Sequence, residues 1–394
     1  MMAPETLHVD VAIFGGGVAG LWTLARLRKA GYNAVLFENH ALGGGQTRYA
    51  QGIIHGGTKY ALTGKLTASS EAIAQMPAVW RACLAGEGEL DLSRVKLMSE
   101  HQYLWSTASL TSRMAGFFAS HAMRSRTQAL PQSARPGLFQ DKQFKGQVYR
   151  LDEPVLDTAS LVKALAEPHA NAIAAIKQVE FNGRDFLITD HADNPYRLQA
   201  QHVVLTAGKG NESLLQQLGK QLPRMQLRPL HMVMVRGGLP EMIYAHCLGA
   251  SVNPRITITS HYDSNHDIVW YLGGQLAEEG IGRSAETQIQ QARKELLELM
   301  PWLDLSAAQW ATLPIERAEP AMPGGKRPDD VFVESEGAVS VCWPTKLAFA
   351  PRLAAKVIEQ LEQQGVAASG ISALPSWAQA KPAPLPWQEE QRWS

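Results

Sequence analysis

The stretch from Val9 to Glu38 constrains this chain more than any other. An apolar run, Val9-Asp10-Val11-Ala12-Ile13-Phe14, leads into Gly15-Gly16-Gly17-Val18-Ala19-Gly20 and then into a segment with helical character, Leu21 to Ala30. Arg26, Arg28 and Lys29 crowd the last turn of that segment and Gly31 stops it, which suits the carbonyl end of a helix. Asn33 to Glu38 reads as a second buried strand. Strand, glycine turn, helix and strand within about 30 residues is a mononucleotide-binding unit. Its three glycines have separate jobs: Gly15 makes the tight turn, Gly17 lets a pyrophosphate approach, and Gly20 lets helix and strand touch. Val18 and Ala19 then open the helix whose N-terminus receives the phosphates. Glu38, about 20 residues beyond the turn, can accept hydrogen bonds from ribose hydroxyls.

Composition excludes several other classes. With 394 residues, 45% hydrophobic and 19% charged, the chain can bury an ordinary globular core in two or three domains. Lys plus Arg equals Asp plus Glu at 37 each, so no basic footprint for nucleic acid exists and none is expected as a partner. Cys83, Cys247 and Cys342 are odd in number, far apart and without metal-ligand spacing, which points to buried thiols in a reducing compartment and to no metal site. No apolar run approaches the roughly 20 residues that a spanning helix needs. The first residues carry no basic region before the first strand, so the expectation is a cytoplasmic protein without a transmembrane segment.

Further along, Lys65 to Leu84 reads as two helices divided at Pro77, because proline lacks the backbone donor a helix interior uses. Residues 86 to 147 are looser and read as an insertion, with a strand at Tyr103-Leu104-Trp105 and a helix from Ser112 to Met123. Asp157 or Thr158 can cap a helix, and Ala174 to Phe181 with Asp185 to Thr189 forms a hairpin about Asn182-Gly183. A buried strand, His202 to Thr206, runs into Ala207-Gly208. Leu227 to Arg236, Arg255 to Ser260 and Ile268 to Leu272 are strands of an antiparallel sheet. Ile289, Ala292, Leu296 and Leu299 mark one face of a helix ending before Pro301. Ala338 to Trp343 is a strand, Ala350 to Gln363 a last helix, and the Trp-containing tail after Gly365 an irregular segment draped on the surface.

Three blocks in order carry a resemblance. Gly43-Gly44-Gly45-Gln46-Thr47 with His55-Gly56-Gly57-Thr58-Lys59-Tyr60, then Val203-Val204-Leu205-Thr206-Ala207-Gly208, then Trp343-Pro344-Thr345-Lys346-Leu347, are similar to segments of the D-amino-acid oxidase superfamily of FAD-dependent oxidoreductases. Within it the chain resembles FAD-dependent glycerol-3-phosphate dehydrogenases and L-2-hydroxyglutarate oxidases. The resemblance implies FAD as the cofactor. It implies that Gly15, Gly17, Val18, Ala19, Gly20, Glu38, Asn39, Gly45, Gln46, Thr47, Gly52, Ala207, Gly208, Thr345, Lys346 and Leu347 hold it. It further implies that His55-Gly56-Gly57 approaches the flavin ring. Two departures stand out: Lys59 replaces an arginine, losing the fork that suits a phosphate or carboxylate, and Trp343 and Pro344 replace glycines.

Hydride removal from carbon to flavin N5 needs a base and cations for an anionic substrate. His55 is one candidate base, since imidazole titrates near working pH, and His261 is a second. Lys59, Tyr60, Arg317 and Lys346 complete the catalytic candidates, with Arg327 a weaker one. Glu316 and Glu319 offer Arg317 a purely structural ion pair as its other reading. His231 reads as a strand histidine. Trp270 and Tyr271 read as cavity wall or core. A cation such as Lys346, or the N-terminus of the last helix, can stabilise a reduced anionic flavin.

The expected fold is α/β. A Rossmann-like FAD-binding domain of the DAO type spans 1–85, 148–215 and 320–365, and an antiparallel β-sheet substrate domain, 86–147 and 216–319, is inserted in it. The expected reaction is oxidation of a small anionic 2-hydroxy acid or polyol phosphate, with oxygen, a quinone or an electron-transfer protein as acceptor. Oxidation of an amino acid or secondary amine, and a flavin-bound accessory role in a protein or RNA assembly, are the alternatives.

Overall fold

The structure, a computed structural model, describes residues 4–57, 68–108, 127–221, 223–249, 253–326, 328–389 and 392–393. The helix expected at 112–123, and Lys59, Tyr60 and Arg327, lie outside them.

The chain opens with β1 (Glu5–Phe14), α1 (Val18–Lys29) and β2 (Ala34–Glu38), as the glycine pattern demands. Next come α2 (Ala68–Leu84), β3 (Leu97–Ser99), β4 (Gln102–Trp105), β5 (Thr127–Ala129), β6 (Val148–Leu151) and β7 (Val155–Leu156). Helix α3 (Thr158–Ala166) is capped by Asp157, whose side chain accepts from Ser160 N. There follow β8 (Ile173–Phe181), β9 (Phe186–Asp190), β10 (Pro195–Leu205) and α4 (Asn211–Gln217). The second half of the chain begins with β11 (Met225–Arg236), β12 (Ala245–Cys247), β13 (Ile256–Tyr262) and β14 (Ile268–Gly273). It continues through α5 (Gln275–Glu279), α6 (Ala285–Leu299), β15 (Gln309–Pro320), β16 (Phe332–Glu336), β17 (Val339–Trp343) and α7 (Ala350–Gln363).

Two large sheets take all of these strands except β3 and β7, which pair with each other. In the first, β8, β2, β1, β10 and β17 lie side by side in parallel, and β16 closes the edge antiparallel. Strand β9 pairs with both β8 and the start of β10, so the pairings β1, β2, β8, β9, β10 close on themselves. Parallel strands buried on both faces need continuous apolar runs, and Val11 to Phe14 and Val203 to Leu205 supply them. Helices α1, α3 and α7 cover one face through Leu21, Trp22, Leu161, Leu353 and Val357.

The second sheet runs β15-β11-β14-β13-β12-β4-β6-β5, antiparallel except where β12 meets β4. Alternation along its strands separates two faces. Val233, Val235, Ile256, Ile258, Trp270 and Leu272 point to α6 and its Ala292, Leu296 and Leu299. Met232, Met234, Tyr271, Leu313 and Ile315 point the other way, with Tyr49 among their neighbours.

Three sequence expectations need correction. The described part of 65–84 is one helix with Pro77 inside it, not two. The proline ring has a packing role there, since a Cβ on Gly56 would lie 3.1 Å from Pro77 Cγ. Strand β6, read with the nucleotide-binding part, belongs to the second sheet, where it pairs with β4 and β5. The tail is irregular, but it is no surface drape: Trp377 and Trp387 are buried to 4% and 1% exposure. Cys83, Cys247 and Cys342 are buried free thiols. Among the described residues no helix is long and apolar enough to cross a membrane, and no group of three or more His, Cys, Asp or Glu could hold a metal ion.

Candidate functional site

The glycine turn is built so that no side chain fits where Gly15 and Gly20 stand. Gly15, at φ +110°, would bring a Cβ within 2.5 Å of Ala207 Cα, and Gly20 would bring one within 2.0 Å of the Gly15 carbonyl oxygen. Thr206 locks this junction by donating its hydroxyl to Phe14 O or Gly15 O, each at 3.1 Å. The two blocks 15–20 and 206–208 are therefore one structural unit.

Gly17 caps α1 with no side-chain hydrogen bond, and no acidic residue occupies the first turn. That leaves the positive end of the helix suited to an anion. Thr47 reaches the same turn: Val18 N donates to its Oγ1 at 3.0 Å. Beside it, apart from Gly45 and its chain neighbours, no described atom lies within 4 Å of where a Gly45 Cβ would stand. Gln46 donates to Ala318 O at 3.1 Å and lies next to Gly208. Glu38 accepts from Gly16 N at 2.6 Å with one carboxylate oxygen and from His40 N at 2.9 Å with the other. Each oxygen keeps a second lone pair for a ribose hydroxyl. Glycine cradle, helix end and acidic residue thus fit a dinucleotide.

The third block joins the second. Trp343 Nε1 donates to Gly208 O at 3.2 Å. Thr345, at φ +61°, donates to Asp330 O at 3.2 Å, and Lys346 Nζ donates to Asp329 O at 3.1 Å. Asp330 in turn holds Arg352 with two hydrogen bonds of 2.6 Å and Lys356 at 3.3 Å. Burial raises the Asp330 carboxyl, but Arg352, the Val331 N–H and Lys356 outweigh it and hold the group down at about 2. The start of the last helix is fixed by this cluster. The helix begins at Ala350, just beyond Leu347.

Residues 52–56 lie antiparallel to 153–156. Leu156 N donates to Gly52 O at 2.9 Å, Ile54 N donates to Pro154 O at 2.9 Å, and Ile53 bridges Val155. Gly52, at φ +73°, has Leu156 O only 2.1 Å from where a Cβ would stand. His55 follows the fully buried Ile54 and precedes Gly56, whose N–H donates to Glu153 Oε1 at 2.7 Å. Between these blocks, Gln51 Nε2 donates to Tyr271 O at 3.1 Å, and Tyr271 OH donates to Tyr49 O at 3.2 Å. The second sheet therefore presses one face on residues 49–51.

Strand register identifies what that face carries. Arg317 and Arg228 are directly opposite, as are Leu313 and Met232. Tyr271 pairs with Thr259, and His246 pairs with Thr257. His246, buried beside Thr257 Oγ1 at 2.7 Å from Nδ1, is a candidate that sequence reasoning missed. Its strand has only three residues and carries no periodic signal. Trp270 and Tyr271 take opposite faces: Trp270 belongs to the core under α6, and its Nε1 donates to Glu241 O at 3.0 Å. His231 also faces away, near Gly280 O at 3.1 Å, in keeping with a strand histidine.

His261 shares the face of Thr259 but is sealed. It is 2% exposed, its Nε2 is 3.2 Å from Thr259 Oγ1, and Trp387 of the tail stacks on its ring. Burial pushes its pKa down to about 3. The neutral ring packs beneath the tail, while His55 lies in the segment braced by Glu153. Near Arg317, Glu316 pairs with Lys209, and Glu319 lies 3.4 Å from Arg228.

Comparison with known proteins agrees with this geometry. The model of the DAO family, FAD dependent oxidoreductase, matches residues 10–337. The chain belongs to this family. The probable FAD-dependent oxidoreductase PA4991 of Pseudomonas aeruginosa is 49% identical over 390 residues, covering 98% of this chain and 99% of that protein. Its crystal structure superposes with a TM-score of 0.85 over 98% of this chain and 99% of that one. Glycerol-3-phosphate dehydrogenase 1 of Mycobacterium tuberculosis is 26% identical over 243 residues, 56% of this chain and 44% of that protein. Glycine oxidase from Geobacillus kaustophilus, 16% identical, shares the fold with a TM-score of 0.65, covering 90% of this chain and 95% of its own. The protein is an FAD-dependent oxidoreductase of the DAO fold, and FAD is its cofactor. The first two family-like blocks fall within the matched range, and the third follows it.

Proposed function

We propose that the protein oxidises a small anionic 2-hydroxy acid or polyol phosphate. The bound FAD supplies the acceptor for the hydride, at flavin N5. The observation that carries this reading is the Arg228–Arg317 pair, two guanidinium positions directly opposite on the face that packs on residues 49–51. Like charges opposed across a ladder repel; Glu319, 3.4 Å from Arg228, offsets part of that charge, and an anionic substrate beside Arg317 offsets more. Arg317 then orients the anionic end of the substrate, with Lys59 and Lys346 as further cations. His55 takes the hydroxyl proton, and the buried Thr257 and His246 supply polar wall. Gln46–Ala318 and Lys209–Glu316 contacts tie the Arg317 segment to the nucleotide loops, which supports placing the anion near the cofactor.

A second reading, oxidation of an amino acid or secondary amine, draws on Glu319. This carboxylate is 3% exposed, lies on the same face as Arg317 and already takes Gln226 Nε2 at 2.9 Å and Arg228 at 3.4 Å, and an ammonium group would join those donors. Anaerobic mixing of the holoenzyme with panels of 2-hydroxy acids, polyol phosphates and amino acids tests both. Bleaching of the flavin's visible band by hydroxy acids or polyol phosphates, and its loss in Arg317→Ala, is the expected result. Bleaching by amines alone would overturn the first reading in favour of the second.

A further inference from the structure

The segment that carries His55 has few side chains of its own to hold it. Gly52, Gly56 and Gly57 have none, and Gly52 and Gly57 sit at φ +73° and +78°. Glycine loses the most conformational freedom on folding, so such a segment needs external anchors if a side chain on it is to be kept in register. Backbone bonds to Pro154 and Leu156 anchor its first half. Beyond Ile54 the anchor changes from backbone to side chain. Gly56 N donates to Glu153 Oε1, and the second oxygen, Oε2, accepts from Gln102 Nε2. Glu153 is 4% exposed and Gln102 is fully buried. Gln102 lies on β4 of the second sheet, whereas Gly56 belongs to the segment that leads out of the nucleotide-binding part. One carboxylate therefore links the His55 segment to the second sheet, at the residue next to His55.

We propose that Glu153 is a positioning residue, fixing the His55–Gly56–Gly57 segment against the second sheet and so setting the surroundings of the flavin. The inference rests on the reading that this segment approaches the flavin ring. Both carboxylate oxygens accept from N–H donors, so the role is that of a double acceptor. The surroundings also say which replacement preserves it. Gln102 Oε1 is buried without a hydrogen-bond partner among the described residues. In Glu153→Gln, the new Oε1 keeps the Gly56 bond, and the new amide can donate to Gln102 Oε1 once Gln102 turns its amide over. In Glu153→Leu, of similar size, the Gly56 N–H and the Gln102 amide both lose this acceptor in a closed site, where unmade hydrogen bonds are costly.

The test uses the FAD-loaded full-length protein and inorganic sulfite as the probe of flavin surroundings, followed by loss of the visible band, with visible circular dichroism of the bound flavin recorded alongside. Glu153→Leu is expected to change the sulfite dissociation constant by about fivefold or more, the factor corresponding to roughly one net hydrogen bond, and to alter the dichroism. Glu153→Gln is expected to restore both, staying within about twofold of the parent. Unchanged sulfite affinity and dichroism in Glu153→Leu would overturn the proposal. A Gln variant as altered as the Leu variant would also overturn it, since hydrogen bonding would not be what counts. If Glu153→Leu does not fold, Glu153→Asp replaces it, because the shorter side chain draws its oxygens back from Gly56 N, and the same two outcomes apply. His55→Ala separates this inference from the reading beneath it. If His55→Ala moves both signals and Glu153→Leu does not, only the role of Glu153 fails. If neither moves them, the segment does not reach the flavin.

Discussion

The imidazole of His261 and the indole of Trp387 lie nearly parallel, with ring centroids 3.7 Å apart and planes 19° from coplanar. They join the second sheet to a tail that starts more than a hundred residues later. Trp387 also packs on Tyr271 at 5.6 Å between centroids, and both aromatic residues are buried. Truncating a buried tryptophan to alanine typically costs about 3–5 kcal/mol. Trp387→Ala should therefore lower stability by that order in urea titrations at pH 7. The His261 pKa, held at about 3 by burial, should move up toward the ordinary value in proton NMR. An unchanged titration in a folded variant would show that the indole is not what excludes water.

Two buried histidines contribute to the acid side of stability. Burial lowers His261 to about 3 and His202 to about 4, while in the unfolded chain both titrate near the ordinary 6.5. The unfolded state thus takes up these protons first as pH falls. The stability is complete above the unfolded value and is lost as pH falls from 6.5 toward the folded values. Each group contributes a slope of about 1.4 kcal/mol per pH unit in that window. Urea midpoints should be level above about pH 7.5, begin to fall near pH 6.5 and drop further toward pH 5. His202→Gln, in the Ser340 pocket where His202 Nε2 lies 2.7 Å from Ser340 Oγ, should flatten part of the slope. A midpoint that does not change between pH 7 and 5 would contradict this assignment.

These two groups also show where sequence reasoning stops. The nucleotide unit was legible because each of its jobs leaves a residue-level mark: an apolar run, glycines at fixed spacing, basic residues in a last helical turn. The helix Ala350–Gln363 and the hairpin about Asn182-Gly183 were legible for the same reason. His261 looked like a base because a histidine after an alternating strand looks the same whether its neighbour is a substrate or a tryptophan brought in from residue 387. Glu153 and His246 left no mark, since their meaning lies in pairings with Gly56 and Thr257 that only the folded chain makes. Pro77 marks a helix boundary on backbone grounds alone, and the closeness of its ring to the position of a Gly56 Cβ is a tertiary fact.

The glycine turn allows a sharp test. A Cβ on residue 20 would stand 2.0 Å from the Gly15 carbonyl oxygen and 2.6 Å from Thr206 Oγ1, both fixed atoms of the nucleotide loops. Gly20→Ala should force α1 away from β1 and cost about 1–3 kcal/mol, as overpacking does. It should also yield protein with little bound FAD, measured as the ratio of flavin to protein absorbance after purification. Gly17→Ala is the milder change, since its Cβ would meet only Thr47 Oγ1 at 3.3 Å. It should fold normally and bind FAD less tightly. Equal flavin content in Gly20→Ala and the parent would contradict the role of Gly20 in bringing helix and strand together at the cofactor.

Deleting the tail tests whether it serves the cofactor as well as the core. Leu42 N donates to Lys381 O at 2.8 Å and Ala383 N donates to Leu42 O at 2.9 Å, so the tail meets Leu42 in an isolated parallel bridge at Pro382. The Leu42 side chain in turn sits over Gly16, where a Cβ would meet its Cδ2 at 2.6 Å, and Gly43 N donates to Gly16 O at 2.8 Å. Past Leu42, Glu389 pairs with Arg48, next to Thr47. The tail thus braces the nucleotide turn from one side and the His261 face from the other. Removing residues 381–394 takes away two backbone hydrogen bonds, each worth about 1 kcal/mol net, together with the packing of Leu385 and Trp387. FAD should then dissociate about tenfold more readily, read as the rise in flavin fluorescence on dilution, and the melting temperature should fall by several degrees. Arg48→Ala, which removes the ion pair and leaves the bridge at Leu42, should have the smaller effect, because partly exposed pairs contribute about 1 kcal/mol or less. If the shortened chain holds FAD as tightly as the full one, the tail stabilises the second sheet alone, and the contacts at Leu42 do not reach the cofactor.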